Sequence, residues 1–343
     1  IWAKAISAQA PRQAFLPSAM PACASLVLAS AVLLGTGAAV RSKMDRTESK
    51  AQVIFVRHGH GCHNALDEQH TKEKAKRNQR YFDPPLTDCG RARSRLEGGA
   101  LLEKIQGMWG GNADFYGTSV MLRAMETGLY MFPNATIFTL PFIKEAGSHH
   151  VSAAIEQQKD WMKRSRINWR YVDGVDENLQ AYGALSAEQA RHEVDYEAFK
   201  RVLGTHILPE LQQQRRNAHG ADVEADNFKL VIVSHGVALK AVFRTYFGCE
   251  DKSLGERLLF NNEAALVEYG ISWHGKTAAL TEKDGECQAL LQTQSWNEDY
   301  LCPGDYQMCI RKNPEHMGVA PNLKDQVVAS PWINTKKDQC CVQ

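Results

Sequence analysis

A chain of 343 residues, 44% of them hydrophobic, can bury a large core as one big domain or two small ones. Its 40 Lys and Arg against 39 Asp and Glu leave a formal charge of +1, so no basic face dominates and nothing calls for a nucleic-acid partner. Nine cysteines, an odd number without Cys-x-x-Cys spacing, read in a chain this long as mostly reduced thiols rather than a disulfide framework or a zinc site.

Residues 1–50 differ from the rest. They carry no acidic residue before Asp45, and residues 21–40 are a small and apolar run long enough in principle to cross a bilayer. Three readings stand: a signal anchor flanked by Arg41 and Lys43, an organelle transit segment, or sequence upstream of a true start at Met44. Each leaves the segment outside the fold. The β-branched run Val53-Ile54-Phe55-Val56 then has the length and composition of a buried strand. Residues 67–80 are polar with no apolar face and read as a loop or lid, closed by Pro84-Pro85. Thr87 or Asp88 can cap a helix through Arg91 to Ile105 with Leu96, Leu101 and Leu102 inward.

Phe115-Tyr116 leads to Thr118-Ser119, after which Leu122, Met125 and Leu129 recur at helical spacing. Residues 135–140 read as a strand and 152–163 as a helix. Ser186-Ala187-Glu188-Gln189 is a capping box from which helix can run to about Arg216. Lys229 to Ser234 is a second buried strand, and a helix follows from Val237 to Phe247. Residues 263–272 and 276–281 read as a hairpin at the sheet edge, with a loosely packed tail from about Cys287. The expected organisation is one α/β domain over 51–285 and an irregular tail over 286–343. The tail ends in Cys340-Cys341-Val342-Gln343, which fits a prenylation signal with the lipid on Cys340. One lipid holds a membrane only marginally. The expected location is cytoplasmic, with membrane association through residues 21–40 or Cys340, and organelle targeting as the alternative.

Chemistry gathers at two strand ends. The first strand runs into Arg57-His58-Gly59-His60-Gly61-Cys62-His63-Asn64, and the second into His235-Gly236. Ligands of open α/β sheets collect beyond the carboxyl ends of the strands, and glycine lets backbone approach a ligand closely. Two histidines there, one beside an arginine, suit an anion and a nucleophilic attack. Thr118 to Thr127 adds a polar turn that starts a helix and projects Arg123 from its first turn. Asp83 to Gly90 lies between, with Asp83 and Thr87 placed to fix a turn. Cys62 reads as an inert thiol.

In this order the four motifs resemble the histidine phosphatase superfamily, the phosphoglycerate-mutase-like enzymes, over roughly residues 52–283. The Gly-x-His-Asn ending of the first motif is similar to the plant and fungal branch. The resemblance implies a three-layer α/β/α sandwich with a central, mostly parallel sheet. It implies a phosphohistidine on His58, phosphoryl oxygens gripped by Arg57, Arg123 and His235, and Asn64 touching phosphate or orienting the loop. His60 falls where many members carry Glu or Gln; with Gly59 it is a candidate substrate contact, or a solvated loop histidine. Glu145 stands where the family supplies its general acid, with His149 and His150 as substitutes. The implied reaction is phosphomonoester hydrolysis on a small phosphorylated substrate, with no cofactor and no metal. The alternatives are a mutase, against which the Glu145 to His150 segment argues, and a catalytically idle, membrane-tethered binding protein.

Overall fold

The computed structural model describes residues 48–64, 83–145, 154–175, 195–219, 227–249, 254 and 258–293. Val53, Ile54, Phe55 and Val56 form the middle of β1 (Lys50–Arg57) and are buried on both faces of it. A strand so flanked must lie inside a sheet covered on both sides, which explains the unbroken apolar run. The other strands are β2 (Phe115–Ser119), β3 (Ile137–Leu140), β4 (Ile167–Asn168), β5 (Asn227–Ser234), β6 (Ala264–His274) and β7 (Thr277–Leu291). They make one seven-stranded sheet in the order β4-β3-β2-β5-β1-β6-β7. The pairings among β1 to β5 are all parallel, whereas β6 runs antiparallel to β1 and to β7. β6 and β7 are the hairpin read from the sequence. β7 continues to Leu291, with Leu290 and Leu291 buried, so the ordered sheet extends past the expected tail boundary near Cys287.

The helices are α1 (Asp88–Trp109), α2 (Leu122–Met131), α3 (Ile155–Met162), α4 (Arg170–Asp173), α5 (Tyr196–Val202), α6 (Leu208–His219) and α7 (Gly236–Thr245). Alternate β1 residues face two apolar layers. Val53 and Phe55 pack with Phe199 of α5 and Leu239 and Phe243 of α7, while Ile54 and Val56 pack with Leu101 and Ile105 of α1 and Met125 of α2. This is a three-layer α/β/α sandwich with a mostly parallel sheet. Each large side chain so buried contributes about 1.5–3 kcal/mol.

Thr87 caps α1 by accepting the Gly90 N–H at 2.8 Å. The helix buries Leu101, Ile105 and Trp109, but Leu96 is 59% exposed, contrary to expectation. At 100° per residue, Leu96 sits about 140° around the helix from Leu101 and cannot share its face. Ser94, Glu97 and Gly98 take the inward positions instead. α5 leads through the wider turn Leu203–Ile207 into α6, so helix reaches His219 rather than Arg216.

The cysteines correct the sequence reading. Cys249, just after α7, is bonded to Cys287 on β7, and Cys62 and Cys89 are also disulfide-bonded. A separation of 38 residues carries no spacing signature; the fold brings the first pair together. No helix among the described residues is long and apolar enough to cross a membrane. Residues 21–40, the 67–80 loop, His149, His150, the 186–189 capping box and Cys340 lie outside the described residues.

Candidate active site

β1 and β5 pair in parallel with Arg57 opposite Ser234, so the next residue of each strand, His58 and His235, leaves the sheet at the same edge. Their ring centroids lie 5.1 Å apart, and both side chains are fully buried. The His58 backbone is fixed from both sides: its N–H donates to Ser234 O and its carbonyl accepts from Asn261 Nδ2, each at 2.9 Å.

The His58 ring is oriented through both nitrogens. Nδ1 lies 2.7 Å from the Gly59 carbonyl, which can only accept, so Nδ1 carries the proton. Nε2 accepts from Arg123 Nε at 3.1 Å, which places its lone pair in the site. Burial, with Arg123, His235 and Arg57 around the ring, holds the His58 pKa well below 6.5 despite the opposing Gly59 carbonyl. The ring is therefore neutral and nucleophilic near neutral pH.

Arg123 enters from the first turn of α2. It is completely buried, and its Nη1 and Nη2 have no partner among the described residues. A buried guanidinium with two unused donor nitrogens is costly unless an anion completes it. Burial lowers its pKa to about 10, with Glu145 and Asp83 opposing, so it stays charged. Arg57 donates through Nη1 to the Leu259 carbonyl. A Cβ at position 236 would lie 3.0 Å from Arg57 Nε, so glycine there lets α7 start against the guanidinium.

His235 Nε2 lies 2.8 Å from Ser119 Oγ at the end of β2. Glu145 is 5% exposed, and its Oε1 accepts the Ala238 N–H of α7 at 3.3 Å. The turn leading to it holds Phe142 at φ 68°, a left-handed conformation costly for a bulky residue. Ser234 Oγ then ties this segment to β5 through the Ile143 carbonyl at 2.8 Å. One nitrogen each of His58 and His235 and one Glu145 oxygen lie within 4.8 Å of one another, the one set among the described residues with metal-competent spacing.

The remaining candidates frame the site. Asn64 Oδ1 accepts the Gly61 N–H at 3.0 Å and so closes the loop. The Gly59 N–H donates to Thr127 Oγ1 at 2.8 Å, spending its backbone on the framework rather than on a ligand. His60 is fully buried, with Nδ1 3.2 Å from Thr87 Oγ1, so it is not a solvated loop histidine and it faces the α1 cap. Asp83 accepts the Leu122 N–H at 2.8 Å and the Gln158 amide, which ties the segment before α1 to the start of α2 and to α3.

The sequence reading assigned no part to His63 or Glu126. The His63 ring centroid is 5.5 Å from that of His58, and its side chain crowds Gly61 so closely that a Cβ there would meet it at 2.8 Å. His63 was visible inside the first motif, but nothing in the spacing of that loop says that its ring turns toward His58. Glu126 accepts the Leu86 N–H at 2.6 Å and pairs with Arg91 at 3.0 Å, locking the 85–91 segment to α2.

No family model matches the chain, and no curated protein matches it in sequence. Solved structures that resemble it include phosphatases. One is a phosphoserine phosphatase mutant from Entamoeba histolytica in complex with phosphoserine, 16% identical over 68% of this chain and 95% of that one, with a TM-score of 0.31. A mycobacterial glucosyl-3-phosphoglycerate phosphatase is 17% identical over 68% and 99%, at 0.35. The alpha-ribazole phosphatase from Shigella flexneri is 17% identical over 72% and 100%, at 0.32. These likenesses are distant, and the functional reading below rests on the residues of this chain.

Proposed function

We propose that this chain is a member of the histidine phosphatase superfamily that hydrolyses phosphomonoesters through a phosphohistidine on His58, with no metal in the reaction. The observation that carries the reading is the Arg123 guanidinium, buried with two unused nitrogens, donating its third to the lone pair of a neutral His58. A phosphoryl group placed there meets an in-line nucleophile and charged donors for its equatorial oxygens.

His58 Nε2 attacks phosphorus while Arg57, Arg123 and His235 hold the oxygens. Glu145, protonated, gives its proton to the departing alkoxide; ionised, it then takes a proton from the water that cleaves the phosphohistidine. The substrate is a small phosphorylated molecule.

The test is turnover of p-nitrophenyl phosphate in EDTA, with acid-labile phosphate trapped on the wild-type protein. His58→Ala is expected to abolish both. A His58→Ala protein that keeps full turnover in EDTA overturns the mechanism.

A further inference from the structure

We propose that His58, Glu145 and His235 also bind one borderline-soft divalent cation, Zn²⁺ or Co²⁺, and that the bound ion switches the site off. The inhibitory half rests on the reading of His58 as nucleophile; the binding half rests on geometry alone. Two imidazoles and one carboxylate form a ligand set that holds zinc with a fourth position open. Here the three are buried, come from three separate segments, and present ligand atoms within 4.8 Å of one another. Bonds of about 2 Å in a tetrahedral site put ligand atoms roughly 3.4 Å apart, a contraction within the reach of side chains.

The orienting contacts that a metal-bound histidine needs are present. The His58 Nδ1 proton goes to the Gly59 carbonyl at 2.7 Å, and His235 Nε2 is held by Ser119 Oγ at 2.8 Å. The tautomer that directs Nε2 at phosphorus directs the same lone pair at a metal. Binding would replace the Arg123 Nε–H contact to His58 Nε2.

Arg57 and Arg123 set the selectivity. Their charges oppose any cation, so an ion enters only where strong bonds to imidazole nitrogen offset the repulsion. Zn²⁺ and Co²⁺ make such bonds, whereas Mg²⁺ and Ca²⁺ favour several oxygens and find one carboxylate here. Arg123, whose Nε contacts His58 Nε2, also holds two unused nitrogens that suit an anion bound to the metal.

The experiment titrates the chelator-treated full chain with Co²⁺, reading the visible absorption of four-coordinate cobalt beside p-nitrophenyl phosphate turnover. The expected result is one Co²⁺ per chain, turnover lost in step with occupancy, and recovery in EDTA. Zn²⁺ should displace the cobalt spectrum, and Mg²⁺ at hundredfold excess should leave spectrum and rate unchanged. Glu145→Gln and His235→Ala should each weaken Co²⁺ binding more than tenfold. On the wild-type chain, which needs no altered fold, inorganic phosphate should change the cobalt spectrum because it enters the same cage.

Absence of a stoichiometric cobalt spectrum overturns the proposal, as do variants that bind as tightly as the wild type or turnover that rises with metal. A chain that binds Co²⁺ as described yet shows no metal-free turnover retains the metal site and loses the phosphatase reading, so the two failures are distinct.

Discussion

His58 changes protonation state at a pH set by its surroundings. In the unfolded chain its ring takes a proton near pH 6.5; in the fold, burial together with Arg123, His235 and Arg57 delays this to well below 6.5. The His58 ring therefore stays neutral at pH 6.5, where an ordinary histidine is half charged. The linkage sign follows: as pH falls below 6.5 the unfolded state binds a proton that the native state refuses, so stability declines. A histidine NMR titration should find the His58 midpoint below 6.5, and Arg57→Gln should move it upward. A wild-type midpoint at or above 6.5 removes the argument for a neutral nucleophile. The roles read from the sequence came from residues whose position the strand pattern dictates: Arg57, His58 and His235 each follow a continuous apolar run, and Arg123 opens a helix. The inward turn of His63 and the burial of His60 depend on Gly61 and on the Thr87 cap packing against the loop, which one-dimensional spacing does not encode.

Elements were legible where periodicity was strong. β1 and β5 could be read because burial on both faces demands unbroken apolar runs, and α2 because Leu122, Met125 and Leu129 share a face. The inner face of α1 was misread because Ser94 and Glu97 do polar work there: Ser94 Oγ donates to Asn262 Oδ1 at 2.9 Å, and Glu97 accepts from Asn262 Nδ2. Asn262 sits at φ 64°, and its neighbour Asn261 holds the His58 carbonyl, so α1 supports His58 from behind. The contact between α1 and α2 depends on Gly98, where a Cβ would collide with the Met131 backbone. Backbone cannot retreat as a side-chain tip can. Gly98→Ala, despite the better helix propensity of alanine, should therefore destabilise the protein by about 1–3 kcal/mol and lower Tm by several degrees. Thermal unfolding followed by circular dichroism checks this, and an unchanged or raised Tm shows that the helices can separate at no cost.

For the whole molecule, the Cys249–Cys287 bond ties the C-terminal end of α7 to the edge hairpin, while the other end of α7 carries Gly236 and Ala238 against the site. The Gly285 N–H also donates to the Phe247 carbonyl at 2.9 Å, so a backbone contact joins the same two segments beside the covalent link. Closing a loop of 38 residues removes chain entropy worth about 4 kcal/mol in the unfolded state, an upper figure where that state retains structure. The joint change Cys249→Ala with Cys287→Ala should lower the unfolding free energy by roughly 2–4 kcal/mol in guanidinium titrations. Metal-free turnover per folded molecule should stay within about twofold, because the distant end of a rigid helix transmits little strain to its first turn. Reductant acts differently, since it is also directed at the bond made by Cys62, four residues beyond His58. If turnover falls in dithiothreitol but survives in the double variant, the loss belongs to the bonds made by Cys62 or Cys89 rather than to the hairpin. If the double variant alone loses turnover, α7 is not the rigid support that places His235 and Glu145.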